Sequence, residues 1–230
     1  MKSTVTHMLA IGLLAGTSSS MAATLASYEF NNPDPGAAGA GTETVDFTSS
    51  DTDMNSTASI FSSGAGFDMN RTQVSNGFTS GGLGLSAGQG NDLAGAIAAN
   101  DYFTFTVTAE SGFILNLQNL TLDVGRAANG AEDFYVFSDV DGFADGQQIG
   151  SAVDITTAGT SLPVDLSDSK YSGLSSIEFR IYVDDRASNN DTSSATFVDN
   201  VVLTGDAVPE PSSVALLGLG GLALILRRRK

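Results

Sequence analysis

The residues Tyr102, Phe103, Thr104, Phe105, Thr106, Val107 and Thr108 alternate strictly, with two phenylalanines and a valine on one face and Tyr and Thr on the other. Successive strand side chains point to opposite faces, so this pattern fits a half-buried strand and no helix. Leu115 and Leu117 repeat the period, as do Leu120, Leu122 and Val124. Between the two sets the phase slips by one at Gln118 and Asn119, which predicts a bulge or bend. Further strands are expected at residues 27–30, 60–61, 133–137, 148–155, 162–166, 177–183 and 195–205, with little more than loops over 36–59. No segment shows a helical period. Short strands with turn signals every eight to twelve residues predict an all-β body, an antiparallel β-sandwich.

The two ends of the chain follow other rules. Near the C-terminus stand Pro209, Glu210 and Pro211, then an apolar run over residues 214–226, then Arg227, Arg228, Arg229 and Lys230. The prolines lack amide donors and push the residues before them towards extended backbone, so this strip is expected to be exposed and non-helical. As a helix, residues 214–226 would rise roughly 20 Å against a hydrocarbon core of about 30 Å. The four cations hold the terminus on the cytoplasmic side, which places the body outside the inner membrane. At the other end, Lys2 precedes a weakly apolar run over 8–15 and small residues at Ser20, Ala22 and Ala23, the pattern of a cleavable signal peptide. The expected organisation is a signal peptide over 1–23, a body over 24–207 and a terminal segment over 208–230.

That terminal segment resembles the PEP-CTERM sorting signal of Gram-negative bacteria, with Gly218, Gly220 and Gly221 inside the apolar helix in the family's order. The resemblance implies that an exosortase, a membrane-embedded processing enzyme, recognises and removes the tail in a bacterium that makes extracellular polysaccharide. An ordinary single-pass anchor is the alternative. The pieces at 99–107, 120–126, 138–143, 179–182 and 198–201 look like the β-rich bodies found ahead of such tails, which resemble jelly-roll carbohydrate-binding modules in outline.

Charge and absences exclude several functions. With Lys2, Glu210 and the four tail cations set aside, the body carries 25 acids against the five cations Arg71, Arg126, Lys170, Arg180 and Arg186. That formal net of 25 − 5, or −20, repels nucleic acid and anionic lipid alike. The chain has no cysteine, and its one histidine, His7, lies in the signal peptide. A mature body without either residue has no Ser-His-Asp or Cys-His machinery and no usual zinc site.

Four candidate sites remain. Asp199 lies in a run with Phe197, Val201 and Leu203 and is expected to share their face, where an ionised carboxylate needs a partner. The jelly-roll resemblance implies calcium there, shared with Glu29, and a hard cation suits oxygen ligands. The alternative is that Asp199 caps a turn or accepts backbone amides. The loop of Asp139, Asp141, Gly142, Asp145 and Gly146 has fragments of calcium-loop spacing but reads better as a turn that needs its glycines. Arg180 and Tyr182, on the polar face of one strand, are the candidate glycan contact, with the loop 184–191 beside them. Paired carboxylates, as in glycosidases, carry no specific signal among so many acids. The expected function is a non-enzymatic protein of the outer surface or extracellular matrix, associated with exopolysaccharide. A carbohydrate-binding module is the alternative, and a carbohydrate-active enzyme the third reading.

Overall fold

A computed structural model of the chain describes residues 22–30, 48–66, 83–86, 92–126, 130–156, 159–186, 195–210 and 227, the strand over 83–86 by its backbone alone. Residues 1–21 of the expected signal peptide and the apolar run of the tail lie outside the described residues, while Ala22 and Ala23 are described. In chain order the elements are β1 (Ala23–Tyr28), β2 (Ser56–Ala58), β3 (Ser62–Ser63), β4 (Leu83–Ser86), α1 (Leu93–Ala99), β5 (Tyr102–Ala109), β6 (Phe113–Arg126), β7 (Ala131–Ser138), β8 (Gly150–Ala152), β9 (Thr160–Asp165), a 3-10 turn (Ser169–Tyr171), β10 (Ser172–Leu174), β11 (Ser176–Arg186) and β12 (Ala195–Pro209).

The strands form two sheets, and every pairing between strands is antiparallel. One sheet is built on the long pair β12 and β6. β1 and β4 lie beyond β12, and β9 and β10 lie beyond β6. The other runs β2, β5, β11, β7, β8, with β3 also on β5. Alternation decides which side chains meet between them. Phe103, Phe105 and Val107 of β5, Ile177, Phe179 and Ile181 of β11, Leu120, Leu122 and Val124 of β6 and Leu203 of β12 are all buried in one core. Each such side chain contributes about 1.5–3 kcal/mol by leaving water. Tyr28, Phe30, Phe61 and Phe105 add an aromatic knot, with ring centroids 4.9 to 6.3 Å apart, a spacing at which aromatic pairs attract one another. Burial and the Asp51 charge raise the Tyr28 hydroxyl far above the usual phenol range, despite hydrogen bonds with Ser59 and Ser49 that oppose the rise. Pro163, in β9, sits where only β6 needs a partner, the edge position that tolerates a missing amide.

The phase slip in β6 is a bulge. Thr204 pairs with Asn119 and Gly205 with Leu117, leaving Gln118 as the extra residue. The all-β expectation needs one correction, because residues 93–99 form a helix. Asp92 caps α1 by accepting the Gly95 amide at 2.7 Å, and Asn100 closes it in the left-handed region at φ 63°, the two residue types that suit those ends. Ile60 and Phe61, expected in a strand, instead lie between β2 and β3.

Candidate functional site

Arg180 is the centre of the best-formed polar cluster. In β11 it faces outward from the second sheet beside Glu178 and Tyr182, opposite Thr104 of β5 and Phe137 of β7. Its Nε donates to Glu178 Oε1 at 2.7 Å and its Nη1 to the Tyr182 hydroxyl at 3.5 Å. The guanidinium lies 4.5 Å from the Tyr102 ring centre and 3.8 Å from that of Phe143. Burial alone would lower its pKa, but the bonds to Tyr182 and Glu178 outweigh it and hold the cation more firmly charged. A guanidinium has five N–H donors, and two of its nitrogens are committed here. With the Arg180 side chain 23% exposed and Glu178 31%, the pair is reachable from solvent.

Tyr182 differs from the sequence expectation. Its ring is 1% exposed, packed with Leu93 and Ala96 of α1 and edge-on to Tyr102 and Phe137. The unforeseen helix covers the platform, so Tyr182 positions Arg180 through its hydroxyl and offers no flat face. Tyr102, Tyr135 and Phe143 are the half-buried aromatics at this place. The loop 187–191 lies outside the described residues.

Asp199 and Glu29 lie on neighbouring strands, Asp199 in β12 and Glu29 just past the end of β1. Asn200, at φ 48°, bulges β12 between Asp199 and Val202 and reverses the phase, as an extra residue in a strand must. Val198, Val201 and Leu203 therefore enter the core between the sheets, while Phe197 and Asp199, both fully buried, are not part of that cluster, contrary to the shared face expected from sequence. Asp199 is fully buried, Glu29 is exposed, and the pairing of Tyr28 with Val201 carries Glu29 alongside Asn200. Asp199 Oδ1 accepts the Asn200 amide at 2.9 Å, and Asn200 Nδ2 donates to Asp123 Oδ2 at 2.8 Å. Calcium takes six to eight oxygens. Among the described residues no three acids converge to hold a metal, so a cation here would need backbone carbonyls beside Glu29 and Asp199, and no chemistry is derived through it.

The loop from Asp139 behaves as a turn. Gly142 and Gly146 have φ 96° and 85°, values that favour glycine. Asp141 accepts from Lys170, from the Tyr171 hydroxyl at 2.5 Å and from Ser138 Oγ at 2.8 Å. Burial pushes this carboxyl up, but those three bonds and the Lys170 charge outweigh it and hold it below the usual carboxylate range. Burial, then the bond to Asp141, raises the Tyr171 hydroxyl to about 12. Of the body's five cations, the three whose side chains are described each meet an acid, the third being Arg126 with Glu132 at 2.7 Å.

The sorting segment is only partly separate from the body. β12 runs through Val208, paired with Ile114, and Pro209, paired with Phe113. The Glu210 amide donates to the Gly112 carbonyl at 2.8 Å. Arg227 is described and exposed, whereas Pro211, Arg228, Arg229 and Lys230 lie outside the described residues.

Comparison with known proteins bears on both parts. No curated protein matches the chain in sequence. Among solved structures it is similar to CBM29_1, a family 29 carbohydrate binding module from Piromyces equi, at 15% identity and TM-score 0.33 over 66% of this chain and 91% of that one. It is also similar to the Stig cyclase Fisc from Fischerella sp. TAU, at 14% identity and TM-score 0.31 over 67% and 75% of the two chains. Likenesses this distant bring no function across. Residues 207–230 match the family described as the PEP-CTERM protein-sorting motif. From Ala207 to its last residue, this chain carries a PEP-CTERM sorting motif behind a β-sandwich body.

Proposed function

We propose that this protein is an exported, non-enzymatic component of the cell surface or extracellular matrix, freed from a transient inner-membrane anchor by an exosortase and associated with exopolysaccharide. The observation that carries the reading is the sorting motif at residues 207–230, which implies export and exosortase processing. The body's composition supports the rest: no cysteine, no histidine beyond His7, and a large excess of acids. Such a surface stays soluble and repels nucleic acid. Expression in an exosortase-bearing bacterium, followed by mass spectrometry of surface and medium fractions, tests it. The expected product lacks Arg227 to Lys230, and deleting the exosortase leaves the intact tail in the inner membrane. Surface protein that still carries its terminal arginines would overturn the reading.

The second reading is a carbohydrate-binding module, favoured by Arg180 held between Tyr102 and Phe143 with Glu178 beside it. Such a cluster bonds sugar hydroxyls from the guanidinium and carboxylate and packs aromatic carbon against a pyranose face. A glycan array with the body and with Arg180→Ala decides it. Retention of a glycan by the first and not the second supports binding, and no retention leaves the matrix role. Release of reducing ends from exopolysaccharide would instead indicate an enzyme.

A further inference from the structure

The body and the sorting motif share a strand. Two of the three residues Pro209, Glu210 and Pro211 are tied to the sandwich, Pro209 opposite Phe113 and Glu210 through the Gly112 carbonyl. β1 accompanies β12 only from Val201 to Gly205, so among the described residues 206–209 have β6 as their single partner strand. Only Pro211, Ser212 and Ser213 separate Glu210 from the apolar run. Three residues reach at most roughly 10 Å, so the Glu110 to Phe113 turn of an anchored precursor sits against the bilayer. A membrane-embedded enzyme would meet the motif with its backbone already occupied.

Burial grades along this end of β12. Gly205 is buried, Asp206, Ala207 and Val208 are intermediate, and Pro209 and Glu210 are exposed. Gly205 itself is locked, since a Cβ there would lie 2.5 Å from the Asn116 carbonyl oxygen and 2.9 Å from Leu25. Beyond it Leu203 and Val201 belong to the core. Among residues 206–210 only Ala207, opposite Leu115, is packed against the core, whereas opening further breaks the sandwich. Short, poorly buried segments at the end of an element open at far lower free energy than the whole domain. Peeling back to Gly205 adds five residues of slack, roughly 17 Å of reach.

Resting on the sorting reading above, we infer that the last rungs of β12 form a clasp on the motif. The processing enzyme engages Pro209 and Glu210 only after residues 206–210 have peeled from the start of β6, and the rate of tail removal follows the opening of those rungs. The chain lacks cysteine, so replacing Val208→Cys and Ile114→Cys together creates a single possible disulfide across a directly paired position. Opposed Cα atoms of an antiparallel pair lie about 4.5–5.5 Å apart, inside the range a disulfide spans.

Pulse-chase of the full chain in an exosortase-bearing host, read by the mass of the product, tests the clasp. The oxidised double variant is expected to lose its tail at least roughly tenfold more slowly than the wild type, with reductant restoring the rate. Each single variant is expected to process normally, which separates the lock from any change in motif recognition. Ile114→Gly, which loosens the same rung, is expected to process faster. Melting of the oxidised protein at or above the wild-type midpoint shows that the body is folded. A locked, folded chain processed at the wild-type rate overturns the inference while leaving the sorting reading intact. A wild-type chain that keeps its tail in this host overturns the sorting reading itself, and the clasp with it.

Discussion

Asp141 concentrates more interactions than any other described carboxylate in the turn after β7. Three donors, the nearby Ser138 and the adjacent pair Lys170 and Tyr171, converge on it and fasten the 3-10 turn to that loop. Asp141→Asn keeps the shape, removes the charge and presents N–H groups to donors. The expected cost is about 1–3 kcal/mol at neutral pH, read from denaturant unfolding. The pH dependence has a definite sign. Because the folded carboxyl titrates below its unfolded value, its stabilisation is complete above that unfolded value, near pH 4, and is lost as pH falls through the folded one. The difference between wild type and variant is therefore expected to shrink below about pH 4. A difference that persists unchanged into acid would mean that packing, not charge, holds the turn. The stretch is legible in sequence as a turn, through Gly142 and Gly146. Its bond to Lys170, 29 positions away, is not, because the pairing depends on the approach of two loops.

At the scale of single elements, legibility follows the side-chain period. β5 and β11 are readable because apolar residues that enter the core alternate with polar or aromatic residues on the opposite face, although α1 covers Tyr182 on that face of β11. The Gln118 bulge is readable for the same reason, as a break in an otherwise regular pattern. The bulge at Asn200 is not, since Val198, Val201, Val202 and Leu203 suit either face and only the left-handed backbone at Asn200 selects between them. α1 escapes because seven residues of Leu, Ala, Gly and Ile give less than two full turns of pattern. Its signals are the end residues, Asp92 as a capping acceptor and Asn100 as a left-handed terminator. Asp92→Ala is accordingly expected to destabilise by about 1 kcal/mol, with Asp92→Ser close to wild type. Since α1 covers Tyr182, tyrosine fluorescence of the Ala variant is expected to change before global unfolding. Equal stability of both variants would show that packing alone holds the helix.

For the whole molecule, the acid excess sets the response to salt. A body with a formal charge of −20 and three of its cations already paired repels itself in the folded state. Raising ionic strength from about 0.01 to 0.15 M shortens the screening length from about 30 to about 8 Å. The melting midpoint of the body is expected to rise over that interval with sodium chloride, and calcium chloride at matched ionic strength is expected to add nothing specific. A fall with sodium chloride would mean that the ion pairs outweigh the repulsion. The architecture and the sorting motif are both legible at this scale, one from periodicity and the other from the order of proline, apolar run and cations. The covering of Tyr182 is not, because it depends on which neighbour the fold brings alongside.

β1 begins and β12 finishes at one end of the first sheet, since Ala23 pairs with Gly205 only four residues before Pro209. A precursor held by segments at both termini would thus hang from the lipid by a single pole. Laid out as a strand, β12 measures about 50 Å from pole to pole. From the β5 to β6 turn, β5 runs back over eight residues, about 26 Å, so Tyr102 and the helix α1 before it stand well away from that pole.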